Sequence, residues 1–571
     1  MKAYRKLYEA EKFDTIKEYI NSAIKKYPNN NAFIIKNKHD GEISYTNVSY
    51  TEFGEEIRAF GTALIELGLE NKKIAIIGKN RYEWIVPFVS ILCGVGVTVP
   101  LDKGLPEQEI VLSLDRAKVD AVVFEDEYAD TIRKVKNSDT AIKEFICMNS
   151  SCNGEFKTVA DLVSMGKELI KNGDTRYEQH EVNPDDVASI IFTSGTTSMS
   201  KAVMLSSKNI ASEIYNINCA EKVYDTDVNM LFLPLHHTFG STILLLALAD
   251  GVTNVFCDGL RHIQENLKEY KVSVFVCVPL LLEAMYKKIY AEVEKQGKTK
   301  ILKFANSISR FLLKFNIDIR RKVFKQILDN LGGNIRFVIS GASAIDKNVA
   351  QGFYDFGVLA VQGYGLTETS PVLTAENEKC VKFGSVGLPL PEVEIKIDSP
   401  NEEGIGEIVA KGPNIMLGYY EMPEETAKVL KDGWFYTGDL GYIDKDGFLF
   451  ITGRKKNVIV LKNGKNIYPE EIELLFSNLP YVAENMVYGT PKGDDLVLSA
   501  KIVYNKDYVK EKYGDISEDE LRDIIWKDVK KINSTLANYK HIKKLIITDE
   551  PMIKTTTQKV KRFEEIKKIG R

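Results

Sequence analysis

The sequence predicts a large α/β N-terminal domain, with parallel sheets, covering helices and a β-rich subdomain, followed by a smaller mobile α+β C-terminal domain. The first observation is an alternation of buried strands and amphipathic helices over most of the first 385 residues. After residue 385 the pattern changes to short strands divided by Pro, Gly and Asp clusters. Beyond residue 456 comes a compact mixed segment. We therefore expect domains at 1–455 and 456–571.

The N-terminal half supplies the clearest strand and helix signals. Apolar residues recur every three or four positions from Phe53 to Leu64, which predicts a helix, and Gly68 marks its end. The strand KIAIIG, a helix over 81–93 and the strand GVTVP follow in that order. Because strand, helix and strand alternate, the pattern predicts a parallel sheet covered on both faces.

The central and C-terminal parts continue this organisation. Buried strands are predicted in VSVFVCVP, NIRFVIS and VLAVQGYG, and short strands in VEIKI, GEIVA, GFLFITG and NVIVL. In the last domain Ser517 and Glu520 form a capping box at the start of an amphipathic helix.

Composition excludes several classes of protein. The chain has 571 residues, 44% hydrophobic and 27% charged, with a net charge of −4. These values exclude collagen-like and disordered chains and argue against a general nucleic-acid binder. The seven cysteines have no metal-ligand spacing, so a reducing cytoplasm is the simpler expectation. The uncharged stretch from Trp84 to Leu101 is broken by prolines and glycines, which predicts a buried helix and strand rather than a membrane span.

Residues 291–330 combine an excess of lysine and arginine with an apolar stripe. The stripe consists of Ile301, Leu302, Phe304, Ile308, Phe311, Leu312 and Phe315. A basic amphipathic helix can lie on an anionic membrane surface, which would place the protein peripherally at the inner face of the membrane. The alternative is a helical excursion that docks its stripe on the body and exposes a charged face.

A hydroxyl-rich turn is the strongest local signal for chemistry. In VASIIFTSGTTSMSKAVML a buried strand ends in a loop with six hydroxyls, Gly195 and then Lys201. Backbone N–H groups, hydroxyls and an ammonium in one turn form an anion cradle, which indicates polyphosphate binding. It is not a Walker A loop, because Ser200 and Ala202 stand where that motif needs Gly and Ser or Thr.

Further segments offer groups suited to a nucleotide and its metal ion. QGYGLTETSP presents an aromatic ring at Tyr364, a hydroxyl at Thr367 and a carboxylate at Glu368, and Mg²⁺ prefers such oxygen ligands beside phosphates. YTGDLG and FITGRKKN supply Asp439 and Arg454. The tail segment PMIKTTTQKVKR supplies Lys559.

These motifs together resemble the AMP-forming acyl-CoA synthetases of the adenylate-forming superfamily. The resemblance covers residues 40–562 and is carried, in order, by TSGTT with its lysine, YGLTE, YTGD, GRKKN, NGKNIYP and KTTTQK. The excursion at 291–330, LPLHHTFG and NIRFVISGASAI resemble the long-chain fatty acid CoA ligase branch. The resemblance implies ATP and CoA as co-substrates, Mg²⁺ as the metal, and a fatty acid that becomes acyl-AMP and then acyl-CoA.

The resemblance also implies a role for individual positions. The ATP and AMP site would comprise Thr193, Ser194, Gly195, Thr196, Thr197, Lys201, Gly341, Ala342, Gln362, Gly363, Tyr364, Thr367, Asp439, Arg454 and Lys559. Within it, Glu368 and Thr193 would hold Mg²⁺, Asp439 would accept the ribose hydroxyls, and Lys559 would bridge the attacking carboxylate and the α-phosphate. Because charge develops at that phosphate, an ammonium there stabilises the transition state.

Other positions belong to the acyl and CoA sides by the same resemblance. His237 would lie beside the acyl carboxylate, with His236 next to it as the competing ring, and the segment STILLLALA would line an apolar tunnel. Lys456 would be the hinge about which the small domain rotates, and Asn463 and Gly464 would meet CoA.

Departures from the family pattern keep other functions open. Ser198, Ser200, Ala202 and Gln558 replace residues that are usual in the family. The alternatives are an acyl-AMP ligase that loads a carrier protein, activation of another carboxylic acid, and a catalytically silent lipid- or nucleotide-binding homologue.

Overall fold

The computed structural model describes residues 6–149, 154–193, 200–341, 345–462, 465–492, 495–555 and 559–570. The strands of the N-terminal half are β1 Asn31–His39, β2 Glu42–Ser49, β3 Lys72–Ile77, β4 Gly96–Leu101, β5 Ala121–Phe124, β6 Glu144–Cys147, β7 Lys157–Thr158, β8 Val187–Thr193, β9 Lys201–Ser206, β10 Val228–Leu231, β11 Thr253–Phe256 and β12 Val274–Cys277. Those that follow are β13 Phe337–Ser340, β14 Leu359–Tyr364, β15 Thr374–Ala375, β16 Leu388–Pro389, β17 Glu394–Asp398, β18 Gly406–Lys411, β19 Gly418–Tyr419, β20 Leu430–Lys431, β21 Trp434–Ile443, β22 Leu449–Arg454, β23 Ile459–Val460, β24 Asn466–Ile467, β25 Val482–Lys492, β26 Asp495–Tyr504 and β27 Ile542–Thr548.

The α-helices alternate with these strands along most of the chain. They are α1 Ile16–Lys26, α2 Tyr50–Glu66, α3 Tyr82–Ser90, α4 Glu107–Ala117, α5 Ala129–Lys136, α6 Val159–Lys171, α7 Arg176–Gln179, α8 Ser207–Ala220, α9 Thr238–Ala249, α10 Ile263–Glu269, α11 Pro279–Lys295, α12 Thr299–Leu313, α13 Arg320–Val323, α14 Lys325–Asn330, α15 Lys347–Asp355, α16 Pro423–Val429, α17 Pro469–Ser477, α18 Lys506–Tyr513, α19 Glu518–Ser534 and α20 Arg562–Ile569.

Two large sheets form the body of the protein and confirm the predicted α/β class. One has the strand order β19-β9-β8-β4-β3-β5-β6-β7, and the other has the order β16-β15-β14-β13-β12-β10-β11-β1-β2. Parallel pairing predominates in both, as between β3 and β4 and between β13 and β14. Because parallel strands end at a common edge of their sheet, loops such as the one after β14 converge there.

Among the described residues three smaller sheets follow the body, one of which is the two-stranded pair of β23 and β24. The β-rich region after residue 385 forms a sheet of β17, β18, β21 and β20, with β22 paired to β21. The last region contains the sheet β25-β26-β27, covered by α17 and α19, with its own core around Ile472, Phe476 and Ile525. This is the α+β arrangement that the sequence predicts.

Several local predictions are confirmed. Helix α2 buries Phe53, Ile57, Phe60 and Leu64, and the chain leaves it at Gly68 with a φ of +70°. Ser517 accepts the backbone N–H of Glu520 in a full capping box. The stretch that begins at Trp84 is a buried helix followed by β4, and no helix among the described residues is both long and apolar enough to cross a membrane.

Most of the apolar stripe in residues 291–330 is exposed, and so does not pack on the body as the second interpretation of this segment expects. Leu302 is buried, but Ile301 is 64% exposed, Phe304 68%, Phe311 58% and Phe315 63%. Helix α12 is therefore attached mainly through Leu302, which packs with Phe324 and Phe356, and through the ion pair of Arg310 with buried Asp355. Most of the stripe faces solvent because the helix touches the body on one narrow side.

The cysteines of the described residues are mostly free thiols. Cys93, Cys219, Cys277 and Cys380 are buried, and Cys257 is half-buried. Burial raises the pKa of the Cys93 thiol to about 12, so that side chain is an inert apolar group. Cys147 is disulfide-bonded and departs from the reduced state that the composition suggests.

Candidate active site

The hairpin of β8 and β9 carries the ends of the hydroxyl-rich turn. Thr193 ends β8 and donates a hydrogen bond from its hydroxyl to the carbonyl of Lys201 at 3.3 Å, which closes the base of the loop. Several predicted site residues lie outside the described residues: Ser194, Gly195, Thr196, Thr197, Ala342, Asn463 and Gly464, together with Ser198 and Gln558. Thr193 and Lys201 therefore mark where the loop begins and ends.

Lys201 is held by two neighbours that the sequence analysis missed. Its Nζ lies 3.0 Å from a carboxylate oxygen of Glu425 and 4.4 Å from the ring centre of Tyr419. The Tyr419 hydroxyl in turn donates to Oε1 of Glu368 at 2.9 Å. Tyr419 therefore contacts both Lys201, the lysine of the predicted phosphate loop, and Glu368, the predicted metal ligand. No sequence pattern marks Tyr419 or Glu425 as site residues, because the segment GYYEMPEET is typical of a turn followed by a helix.

Glu368 lies in a rigid turn directly after β14. The short 3-10 helix Thr367–Thr369 is closed by Thr369, whose hydroxyl donates to the carbonyl of Pro371 at 2.8 Å. Gly365 is required in this turn, since a Cβ there would lie 1.7 Å from the same carbonyl oxygen. The turn presents Glu368 half-buried, as a hard oxygen donor beside cationic side chains. Its chemistry and position fit a Mg²⁺ ligand.

Asp439 is the most enclosed carboxylate of the site. It is 4% exposed, accepts the Tyr364 hydroxyl at 2.8 Å, and has Oδ1 2.7 Å from Nε of Arg454. The pairing of β21 with β22 places Asp439 opposite Arg454, so the sheet register itself creates the contact. Burial raises the pKa of Asp439, although Arg454 and the Tyr364 hydrogen bond act against that rise.

Lys559 reaches this site from the C-terminal segment. Its backbone carbonyl accepts a hydrogen bond from the Thr555 N–H at 2.8 Å. Desolvation in the cleft and nearby Arg454 lower the pKa of the Lys559 ammonium, while the carboxylates of Asp439 and Glu368 raise it. The side chain remains open to solvent. The structure thus brings Lys559 within electrostatic reach of both carboxylates.

Buried ionic contacts hold the segment that carries Lys559. Glu565 is fully buried and accepts from Nζ of Lys501 at 2.8 Å and from the Ile553 N–H at 2.7 Å. Lys554 pairs with Glu484 at 2.5 Å. Because a buried charge is costly without its partner, these contacts fix Ile553 and Lys554, which precede Lys559 in the chain.

The two adjacent histidines lie together at the start of α9. Their ring centres are 4.3 Å apart, and Nε2 of His236 is 3.4 Å from Oδ1 of Asp102. Burial, His236 and Lys559 lower the pKa of His237 to about 4, so its imidazole is neutral at pH 7. Lys559 interacts electrostatically with His237. Asp102 was missed, although a carboxylate just after a parallel strand is a recognisable signal.

The predicted adenine slot is lined by tightly packed residues. Gln362 is buried, and its amide donates to the Ser385 carbonyl at 2.5 Å while its side-chain oxygen accepts from the Ile345 N–H at 3.4 Å. Its side chain therefore braces the slot. Gly341 lies against Phe239, where a Cβ would come within 2.7 Å of the ring, and Gly363 precedes Tyr364 at the end of β14.

Lys456 lies between the β-rich sheet and the last region. It is in the 3-10 turn Lys455–Asn457, directly after β22, and its side chain is exposed. Partial desolvation and Arg454 lower the pKa of its ammonium. Asn457 bonds across to Glu470 of α17 at 2.6 Å, so this turn joins the two regions.

The segment STILLLALA forms the greater part of α9 and is buried from Ser241 to Leu248. Leu244, Leu245, Leu246 and Leu248 pack into the main core, and the Thr242 hydroxyl donates to the Ser370 carbonyl at 3.3 Å. The start of the helix therefore lies near the Glu368 turn.

Comparison with known proteins gives consistent relationships. Residues 20–420 match the AMP-binding enzyme family, and residues 456–568 match the AMP-binding enzyme C-terminal domain. The chain is 28% identical to Long-chain-fatty-acid--CoA ligase FadD15 of Mycobacterium bovis over 468 residues, 78% of this chain and 76% of that protein. It is 26% identical to the chloroplastic Long-chain-fatty-acid--[acyl-carrier-protein] ligase AEE15 of Arabidopsis thaliana over 601 residues, 92% of this chain and 81% of that protein.

A solved structure supports the fold. The anthranilate CoA ligase AuaEII, in complex with anthranoyl-AMP, superposes with a TM-score of 0.75 at 18% identity, over 98% of this chain and 97% of that one.

Proposed function

The chain belongs to the AMP-binding enzyme family, and from that premise we propose that it activates a long-chain fatty acid with ATP and transfers the acyl group to CoA. The observation that carries the proposal is the convergence of Glu368, Asp439 and Lys559, which lie far apart in sequence, around one cleft beside Lys201. The products are acyl-CoA, AMP and pyrophosphate. The long-chain preference is supported by relatives such as FadD15.

In the first half-reaction the fatty carboxylate attacks the α-phosphorus of ATP and pyrophosphate leaves. A fatty carboxylate is already ionised at pH 7, so no general base is needed. Lys559 lies between the carboxylate and the α-phosphate, where its charge offsets the charge that develops. Thr367 contacts the α-phosphate, and the loop from Thr193 to Thr197 with Lys201 holds the β- and γ-phosphates.

Mg²⁺ is the metal of this reaction, and Glu368 with Thr193 would hold it. When bound, the ion neutralises phosphate charge and orients the leaving group. The chain's own residues fix the rest of the nucleotide: Asp439 accepts the ribose hydroxyls beside Arg454, and Tyr364 stacks on the adenine. Gly341, Ala342, Gln362 and Gly363 complete the slot.

His237 positions the acid rather than removing a proton. Its neutral imidazole can donate or accept one hydrogen bond at the carboxylate. A long alkyl chain gains about 0.8 kcal/mol for each buried methylene, which favours an apolar acid over a short polar one.

In the second half-reaction the CoA thiol attacks the acyl carbonyl and AMP leaves. We propose that the chain divides into 1–455 and 456–571 and that the smaller part rotates about Lys456. The rotation withdraws Lys559 and brings Asn463 and Gly464 to the pantetheine arm. The position of Lys456, in a turn between two separately packed regions, supports this hinge.

The test is a panel of acids incubated with the purified protein, ATP, Mg²⁺ and CoA, with AMP and thioester measured together. We expect equal AMP and thioester with long-chain acids. AMP and acyl-adenylate without thioester, and acyl transfer on addition of a carrier protein, would favour the alternative suggested by AEE15. Thioester from short or aromatic acids alone would favour another carboxylic acid. The absence of both products with every acid would support the silent homologue.

We further propose that α12 brings the protein to an anionic lipid surface. The stripe of Ile301, Phe304, Ile308, Phe311 and Phe315 is exposed, and Lys300, Lys303 and Lys314 around it pair with no carboxylate of the described residues. Contact between two copies through this stripe would bring like charges together. Anionic headgroups would instead complement them while the aromatic side chains enter the lipid interface.

Liposome flotation tests this contact. We expect the protein to float with anionic vesicles and to lose most of that binding in Phe304→Asp/Phe311→Asp. The variant Ile43→Asp, at an apolar position on β2 that is 54% exposed, should keep it. Equal flotation of both variants, or no flotation with anionic vesicles, would contradict the proposal.

A further inference from the structure

One cluster of metal-ligating side chains is used only in part by the proposed reaction. Asp102 follows β4, and His236 and His237 precede α9, so the two loops bring the three side chains together. One potential ligand atom from each lies within 4.8 Å of the others. Nothing in the ligase mechanism requires His236 or Asp102.

His236 is the unusual member of the cluster. It is 7% exposed, and its Nε2 has no hydrogen-bond partner among the described residues, although Oδ1 of Asp102 is 3.4 Å away. The contact is close enough for an ion pair but not aligned for a hydrogen bond. A buried polar atom without a partner is unfavourable and therefore requires an explanation, and a metal-binding role would supply one.

We propose that Asp102, His236 and His237 form a site for a divalent transition-metal ion of the Zn²⁺ type. Two imidazoles and one carboxylate are a common ligand set for Zn²⁺, with a further position left for water or an external ligand. Bonds of about 2.0–2.2 Å in a tetrahedral site place ligand atoms about 3.4 Å apart. The distance between His236 and Asp102 already has this value, 3.4 Å. The imidazoles favour Zn²⁺ over Mg²⁺, which prefers oxygen ligands.

The surroundings hold these ligands in place. The Gly104 N–H donates to Oδ1 of Asp102 at 2.8 Å, as a supporting hydrogen bond to a metal-binding carboxylate would. Asn80 accepts the Leu235 N–H at 3.1 Å and donates to the Leu233 carbonyl at 2.7 Å, which fixes the segment before the histidines. Gly240 packs so closely that a Cβ would lie 2.3 Å from the Pro234 carbonyl oxygen.

Lys559 gives the site a consequence for the enzyme. Its ammonium interacts electrostatically with His237 in this structure. A dication at the cluster would repel the ammonium, so metal binding and the docked position of Lys559 oppose each other. Because such coupling is reciprocal, the metal would disfavour docking of Lys559, and removal of the Lys559 charge would favour the metal.

The experiment uses the full chain, Co²⁺ as a spectroscopic substitute, and Zn²⁺ measured by competition with a chromophoric chelator. We expect one Co²⁺ per chain with the intense visible bands of four-coordinate nitrogen and oxygen ligation. His236→Ala and Asp102→Asn should each weaken Zn²⁺ binding by about 100-fold or more, since loss of a supporting residue alone costs 10–100-fold. His262→Ala, an exposed histidine paired with Glu265, is the matched control and should not change binding.

Lys559→Met gives the second readout, in which Zn²⁺ should bind more tightly than to the unmodified protein. Should His236→Ala fail to fold, as judged by thermal unfolding, Asp102→Asn carries the comparison. The proposal is overturned when Zn²⁺ affinity is the same in the folded cluster variant and in His262→Ala, when the Co²⁺ bands are absent or show thiolate ligation, or when Lys559→Met weakens binding. These measurements need no ligase activity, so they stand apart from failure of the proposed function.

Discussion

The proposed ribose side and the proposed phosphate side of the site differ in how far they are already arranged for a nucleotide. On the ribose side Asp439 is buried and already fixed by Tyr364 and Arg454. On the phosphate side Lys201 is paired with Glu425 and lies over Tyr419, so a triphosphate must displace a carboxylate to reach it. The difference indicates that the half around Asp439 is preorganised and that the half around Lys201 must rearrange when ATP binds.

Asp439→Ala should have a large effect on ATP binding, because it removes the preorganised half of the proposed site. It deletes the acceptor for the ribose hydroxyls and leaves Arg454 without its partner, so we expect ATP to bind about 100-fold more weakly, or about 3 kcal/mol. The ATP affinity of Asp439→Asn should lie between those of the unmodified protein and Asp439→Ala, because asparagine keeps a hydrogen-bond acceptor without the charge. Isothermal titration with ATP provides the measurement, and unchanged affinity in Asp439→Ala would contradict the assignment.

Replacement of Lys559 should separate the two half-reactions. In Lys559→Ala we expect adenylation to slow by about 10²–10³-fold, the effect of removing one donor at a site of developing charge. Thioester formation from supplied acyl-adenylate should stay near its normal rate, because Lys559 withdraws before that step. Lys561→Ala, an exposed neighbour paired with Glu564, is the control. An equal loss of rate in the adenylation and thioester-forming half-reactions would contradict a role of Lys559 in adenylation alone.

The pH dependence of adenylation should report the same lysine. Desolvation and Arg454 lower the pKa of Lys559 below the ordinary lysine value of 10.5. Activity needs the ammonium, so adenylation should fall as pH rises through that lowered pKa, earlier than an ordinary lysine would allow. Lys559→Arg should move this alkaline limb to higher pH. If the alkaline limb of the pH profile lies at the same pH in Lys559→Arg, a group other than Lys559 causes it.

The smallest effect should come from Glu425→Gln, which tests the phosphate side directly. Without the Glu425 carboxylate, no ion pair has to be broken before Lys201 binds the phosphates of ATP. The KM for ATP should therefore fall by up to about fivefold, the size expected for a partly exposed ion pair. Glu424→Gln changes an exposed neighbouring charge and should leave the KM unchanged. A rise in the KM with Glu425→Gln would mean that Glu425 helps to bind ATP.

Elements with strong local signals could be predicted from the sequence. Helix α2 and the capping box at Ser517 follow from apolar spacing and cap residues, which act within a few residues. The exposure of the α12 stripe could not be predicted, because periodicity reveals an apolar face but not what covers it. Phe304 and Phe311 lie on such a face and remain exposed.

The same limit applies to the candidate site. Glu368, Asp439 and Lys559 stand in motifs whose order is readable in the sequence, and the structure places them within electrostatic reach of one another. Glu425 and Tyr419 were missed because their role comes from the pairing of β19 with β9, a contact between distant segments. Asp102 meets His236 for the same reason, because the loop after β4 of one large sheet lies against the loop after β10 of the other.

The central claim is that these separated residues act on one ATP and one long-chain acid. Its most direct test is the exchange of labelled pyrophosphate into ATP in the absence of CoA, with Mg²⁺ and a long-chain fatty acid present. We expect exchange that requires the acid and is nearly lost in Lys559→Ala but not in Lys561→Ala. Exchange that is independent of the acid, or absent with every acid tried, would contradict the claim.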